Sequence, residues 1–155
     1  MAHVGLLRRL GLVTLTAFAS GLGTAVFAAD ADPATTARAS VAAIAEELFP
    51  PEQDREGPQN ADLPSPELQR RALERGVLSG VLQLCGAEWQ DTSFVPFMRA
   101  VRARGDLTLK QISMMSFFHG FAQGRAGQRL TERRSDLCSV PRLEGYRALA
   151  GENSF

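Results

Sequence analysis

Beyond residue 28 the chain holds a single histidine, His119. An imidazole titrates near neutrality, so a lone histidine is the natural candidate for a general base or a pH sensor. The run His119-Gly120-x-x-Gln123-Gly124 places Gln123 one helical turn further on. Its amide can bond a ligand or the backbone of a neighbouring helix. Trp89, flanked by Glu88 and Asp91, offers a ring platform beside two carboxylates. Arg125, Arg129 and Arg133 recur at helical spacing, with Arg134 alongside, and form a basic row. Such a row suits phospholipid headgroups, an acidic protein or an anionic wall polymer. Each feature also has a purely structural use: a buried histidine bonded across helices, a core tryptophan, a solvated charged face. No acid adjacent in sequence orients His119, and G-x-S-x-G, G-x-x-x-x-G-K and H-E-x-x-H are all missing. We therefore assign no catalytic residue, no metal site and no cofactor, and keep His119, Gln123, Trp89, Arg125, Arg129 and Arg133 as contact candidates.

The compartment follows from the N-terminus and the cysteines. Arg8 and Arg9 precede an uncharged, apolar run from Leu10 to Ala29, and Val26 and Ala28 fit a small-x-small cleavage rule. That is the pattern of a secretory signal peptide, residues 1–28, cut after Ala28 or, as an alternative, after Ala31. An uncleaved membrane anchor is the competing reading, because the run is about as long as a bilayer is thick. No other stretch is apolar enough to span a membrane, so the expectation after cleavage is a periplasmic chain without a transmembrane segment. Cys85 and Cys138 are the only cysteines, and an even pair in an exported protein reads as a disulfide. With no C-x-x-C and one histidine, zinc is not expected.

Charge is unevenly distributed. Residues 29–67 hold nine acids and two bases, whereas residues 68–155 hold eight acids and thirteen bases. An acidic arm can attract a basic body, or the body can meet an anionic partner. The expected partner is another envelope protein or an anionic surface; the compartment argues against nucleic acid.

These side chains must be positioned by helices. The spacing of Val41, Ile44 and Leu48 predicts a helix over 36–48. Residues 50–64, rich in Pro, Glu, Asp, Gln and Asn, read as a flexible linker, so 29–64 forms an acidic helix and linker that sits apart from the body or docks on it. The body is 65–155. Ser65-Pro66-Glu67 starts a helix that runs to Cys85 or Glu88, with Gly76 and Gly80 marking a close backbone contact. Thr92 or Ser93 caps the next, which carries Phe94, Phe97, Met98 and Val101 inward and stops at a left-handed Gly105. Thr108-x-x-Gln111 is a capping box for a central helix reaching Gln123 or Arg129. Ile112, Met115, Phe118, Phe121 and Ala122 should cover its broad apolar side. Ser113, Ser116, Gly120 and Gly124 should press against a second helix. Residues 125–136 read as a frayed end and loop, and Ser139 caps a last helix near 140–149. No alternation of period two occurs. The predicted fold is all-α, a small domain of four or five helices closed by one disulfide.

The pattern Cys85-Gly86-x-x-Trp89, Phe94-x-x-Phe97-Met98, Arg102, Gln111 and His119-Gly120-x-x-Gln123-Gly124 resembles small exported bacterial helical proteins without an assigned activity. In cysteine spacing and size the chain also resembles acid-stress periplasmic chaperones and helical periplasmic immunity proteins, and the likeness implies a helical fold only. Three functions follow as expectations: a non-enzymatic periplasmic accessory or binding protein, an acid-responsive chaperone, and a small hydrolase or lyase that uses His119.

Overall fold

The computed structural model describes residues 32–51 and 60–152. The expected export signal, its cleavage positions and residues 52–59 of the expected linker lie outside the described residues. Within them all regular structure is helical: α1 (Pro33–Leu48), α2 (Pro66–Leu84), α3 (Val95–Ala103), α4 (Leu109–Arg129), the single turn α5 (Arg134–Leu137) and α6 (Val140–Gly151).

Helix α1 begins at Pro33, three residues before the expected start at 36. The Asp32 carboxylate accepts from the Thr35 amide at 3.1 Å, and Pro33 sets the first turn. The helix does not stand off. Ala37, Val41, Ile44, Ala45 and Leu48 are buried in the main core with Val77, Leu82, Tyr146 and Leu149. Gly145 lets α6 come close, since a Cβ there would lie 2.6 Å from the Pro33 carbonyl oxygen. Ser40 and Tyr146 share a hydrogen bond of 3.1 Å across the same contact. The acidic stretch also meets the body through Glu47–Arg133 at 3.1 Å and Asp62–Lys110 at 2.5 Å, surface pairs worth little individually.

Helix α2 starts at Ser65, as its sequence predicts, and stops at Leu84. Gly86, at φ +71°, makes the left-handed turn; its amide donates to Gln83 and that of Ala87 to Leu82, which is a Schellman motif. Cys85 thus sits at the α2 C-cap. Its disulfide to Cys138, with Cα atoms 5.3 Å apart, ties the end of α2 to the turn before α6.

The α2–α4 contact organises the domain. A Cβ on Gly76 would fall on the His119 carbonyl oxygen and lie 2.7 Å from the Ala122 Cβ. One on Gly80 would lie 2.7 Å from both the Ala126 Cβ and the Gln123 carbonyl oxygen. The close contact expected of Gly76 and Gly80 is therefore real, and α4 meets it with Ala122 and Ala126. The strip expected to face a second helix is not used: nothing lies within 4 Å of a Cβ built on Gly120 or Gly124. At about 100° per residue, Met115, His119, Ala122 and Ala126 point the same way, and the two glycines point almost opposite. Phe121 corrects a second expectation, being 50% exposed. It lies about 120° from Met115 on the wheel, beyond the buried arc.

Two predicted caps are replaced. Ahead of α3 the backbone forms one wide π turn over Gln90–Phe94 with no side-chain cap. The Thr92 hydroxyl donates to Glu88 O at 2.5 Å, and Ser93 turns inward and is fully buried. Ser139 stands at the α6 N-cap, but its hydroxyl donates back to Asp136 O at 3.1 Å. By contrast Gly105, at φ +74°, ends α3 as expected, and Thr108 with Gln111 forms both bonds of the capping box. The stretch after Arg129 is a 3₁₀ turn and α5 rather than a loop, because buried Leu137 draws it onto the core.

Candidate functional site

The interior holds three polar side chains in a row, one from each side of the α2–α4 seam and one from the π turn. His119, on α4, is 1% exposed; Ser79, on α2, and Ser93 are fully buried. His119 Nε2 lies 3.0 Å from Ser79 Oγ, and Ser79 Oγ donates to Ser93 Oγ at 2.9 Å. The rings of Phe94 and Phe97 close over the imidazole, with centroids 4.8 and 5.6 Å away.

The direction of these bonds decides what the row can do. A serine hydroxyl has one proton. With the Ser79 proton directed to Ser93, Ser79 is left to accept from His119, in the tautomer that carries its proton on Nε2. A catalytic serine–histidine pair has the opposite polarity: the hydroxyl donates to an unprotonated Nε2, which then removes its proton. In this arrangement His119 holds Ser79 in place and does not activate it. The row joins α2, α4 and the π turn, and satisfies polar groups that would otherwise be costly to bury.

Burial, and then the nearby Arg75 charge, lowers the His119 pKa from its ordinary 6.5 to about 4. The folded state therefore holds this ring neutral where the unfolded chain would protonate it. The resulting stability is fully present above pH 6.5 and is lost as pH falls through that value toward 4. The total loss is about 3 kcal/mol. Urea unfolding of the wild type and of His119→Gln, compared across this range, should show the wild-type advantage shrinking by that amount. A constant difference between the two proteins would contradict it.

The other candidates do not converge on His119. Gln123 donates to Gln83 Oε1 at 3.0 Å, bridging α4 to α2. Trp89 packs on the core, 6.4 Å from Phe94, and it is Phe94 that lies against the imidazole. Glu88 accepts from the Gln90 amide at 2.9 Å, as part of the turn, and Asp91 is exposed. Among the described residues no group of three His, Cys, Asp or Glu side chains is placed to hold a metal, and no helix is long and apolar enough to cross a membrane.

On the outside, the basic row joins a feature that the sequence reading did not single out. Phe117 and Phe121 are 59% and 50% exposed, and their rings stack at 6.2 Å with planes 5° apart. Phe49, just after α1, leans on Phe121 at 5.6 Å. The Arg125 guanidinium lies 5.7 Å over the Phe49 ring. Arg129 is exposed one turn on, whereas Arg133 is engaged by Glu47. Beside the rings, Gly120 and Gly124 leave α4 bare. The signal in the sequence was the i, i+4 pair Phe117–Phe121, which falls outside the Met115–Ala122–Ala126 arc. Ser79 and Ser93 carried no signal, since each pairs only across the tertiary contact.

No family model, curated protein or solved structure matches the chain.

Proposed function

We propose that this chain is an exported, non-enzymatic accessory protein of the cell envelope, and that it binds an acidic amphipathic helix of another envelope protein through the outer face of α4. One observation carries the reading: two stacked, half-exposed phenylalanines lie beside Arg125 and a glycine strip with open space above it. A soluble surface rarely leaves such aromatic area uncovered without a use for it. The rings supply apolar area, Arg125 and Arg129 supply charge complementarity, and Gly120 with Gly124 permits the backbone-close approach that a helix makes. A layer of lipid headgroups has no need of that close approach. Export is supported by the signal-like N-terminus and by the Cys85–Cys138 bond. The inward-facing polarity of the Ser79–His119 bond weighs against a hydrolase or lyase.

Replacing Phe117 with photoreactive benzoylphenylalanine tests the face in living cells. Irradiation should give one discrete protein adduct whose crosslinked peptide sets Asp or Glu beside apolar residues. The adduct should vanish in R125E/R129E and be absent when the probe replaces exposed Arg147 on α6. Adducts to lipid or to a second copy, or an adduct indifferent to charge reversal, would remove the proposal.

An acid-responsive chaperone is the second reading, and His119 is what favours it. Charging that ring near pH 4 loosens the α2–α4 seam, and client binding that begins with this transition would be its mark.

A further inference from the structure

A cleft of about 490 Å³ opens between α1, α2, α3 and α6, away from the aromatic face of α4. That volume is in the range of small-molecule sites. Its polar edge is built from arginines on two helices, Arg38 of α1 with Arg71 and Arg75 of α2, and from Glu74. Its walls are Val41, Leu78, Phe97 and Leu149. On α2 the polar and apolar linings follow one helical stripe, Arg71, Glu74, Arg75 and Leu78, at i, i+3, i+4 and i+7.

The arginines differ in how they are held. Arg75 is anchored: it donates to the carbonyl oxygens of Leu149 at 3.0 Å, Ala150 at 2.7 Å and Glu152 at 3.2 Å, closing the C-terminal end of α6. Those acceptors are neutral dipoles, so its charge persists at the floor of the cleft. Arg38 and Arg71 are paired with carboxylates at the solvent edge, Glu152 and Glu67. Exposed pairs of this kind exchange at little cost, so an incoming anion can take over either guanidinium. Burial lowers the Arg75 pKa and raises that of Glu74, against the opposing pull of Glu152 on the first and of Arg70 and Arg71 on the second.

From the apolar walls and the arginine edge we infer that this cleft binds a single-chain amphiphile with an anionic head, carboxylate or phosphate. The head meets Arg38 and Arg71, which suit bidentate recognition of either group, and the chain lies along Val41, Leu78, Phe97 and Leu149. The inference rests on different residues from the docking face of α4, and each stands if the other fails.

Calorimetric titration of the whole protein tests it, with dodecanoate and dodecyl phosphate as probes and with acetate and dodecyltrimethylammonium as controls. Saturable one-to-one binding of either anionic probe is expected, and the stronger of the two identifies the head. Acetate should not bind, because it lacks the chain. R38Q/R71Q should weaken binding roughly tenfold or more, with its thermal unfolding close to that of the wild type. Both substituted side chains lie at the rim, so the fold is not at risk as it would be at Arg75. Failure of both anionic probes to saturate, equal binding of the cationic amphiphile, or undiminished affinity in R38Q/R71Q would each overturn the inference.

Discussion

Gly76→Ala should cost the fold about 3 kcal/mol, although alanine is the better helix former. The new methyl would fall on the His119 carbonyl oxygen and within 2.7 Å of the Ala122 Cβ. Neither neighbour is a flexible side-chain end. Helices α2 and α4 must separate, and the Ser79–His119 bond, at 3.0 Å, lies at that seam. Gly124→Ala on the opposite side of α4 serves as the counterpart. Nothing lies within 4 Å of its added methyl, so propensity alone acts and stability should rise by up to about 1 kcal/mol. Urea unfolding of the two variants beside the wild type reads both effects. A neutral or stabilising Gly76→Ala would mean that the two backbones do not meet as described.

Removing the disulfide should have the largest effect. Cys85 and Cys138 are 53 residues apart, and in the chain-entropy model closing such a loop stabilises the folded state by about 4 kcal/mol. For a domain of this size that is a large part of the whole stability. The bond also joins two helix ends, the C-cap of α2 and that of α5. C85A/C138A should unfold at a much lower urea concentration, and the wild type with reductant should behave like it. The double variant itself should be indifferent to reductant. Equal midpoints for wild type and variant would show that the loop is already constrained without the bond.

Much of this architecture can be read from local chemistry. Ser65-Pro66, the Thr108–Gln111 box and the left-handed Gly105 act within one turn, and each stands where its residues place it. The fold class follows from the same helical spacings. Gly76 and Gly80 announced a close contact, because two glycines in a helix need a tertiary reason. Which helix would answer them was not legible. Gly120 and Gly124 made an equally small strip, and the choice fell to Ala122 and Ala126, which share an arc with Met115 and His119. The same wheel moves Phe121 outside, where a count of apolar residues had put it inside. Ser93 read as a cap, because serine before a helix usually is one. Its inward turn depends on Ser79, fourteen residues away on another helix. The cleft of Arg38, Arg71 and Arg75 was hidden for the same reason, since its walls come from four helices whose packing no single segment specifies.

Whether the buried Ser79–His119 pair only supports the fold turns on where one proton sits. His119 is the only histidine after residue 28, so its ring nitrogens in isotope-labelled protein spanning residues 29–155 can be assigned without ambiguity by NMR at neutral pH. A neutral ring protonated at Nε2, donating to Ser79, is the expected spectrum. A ring protonated at Nδ1, with Nε2 accepting from the Ser79 hydroxyl, would give the pair catalytic polarity and contradict the account.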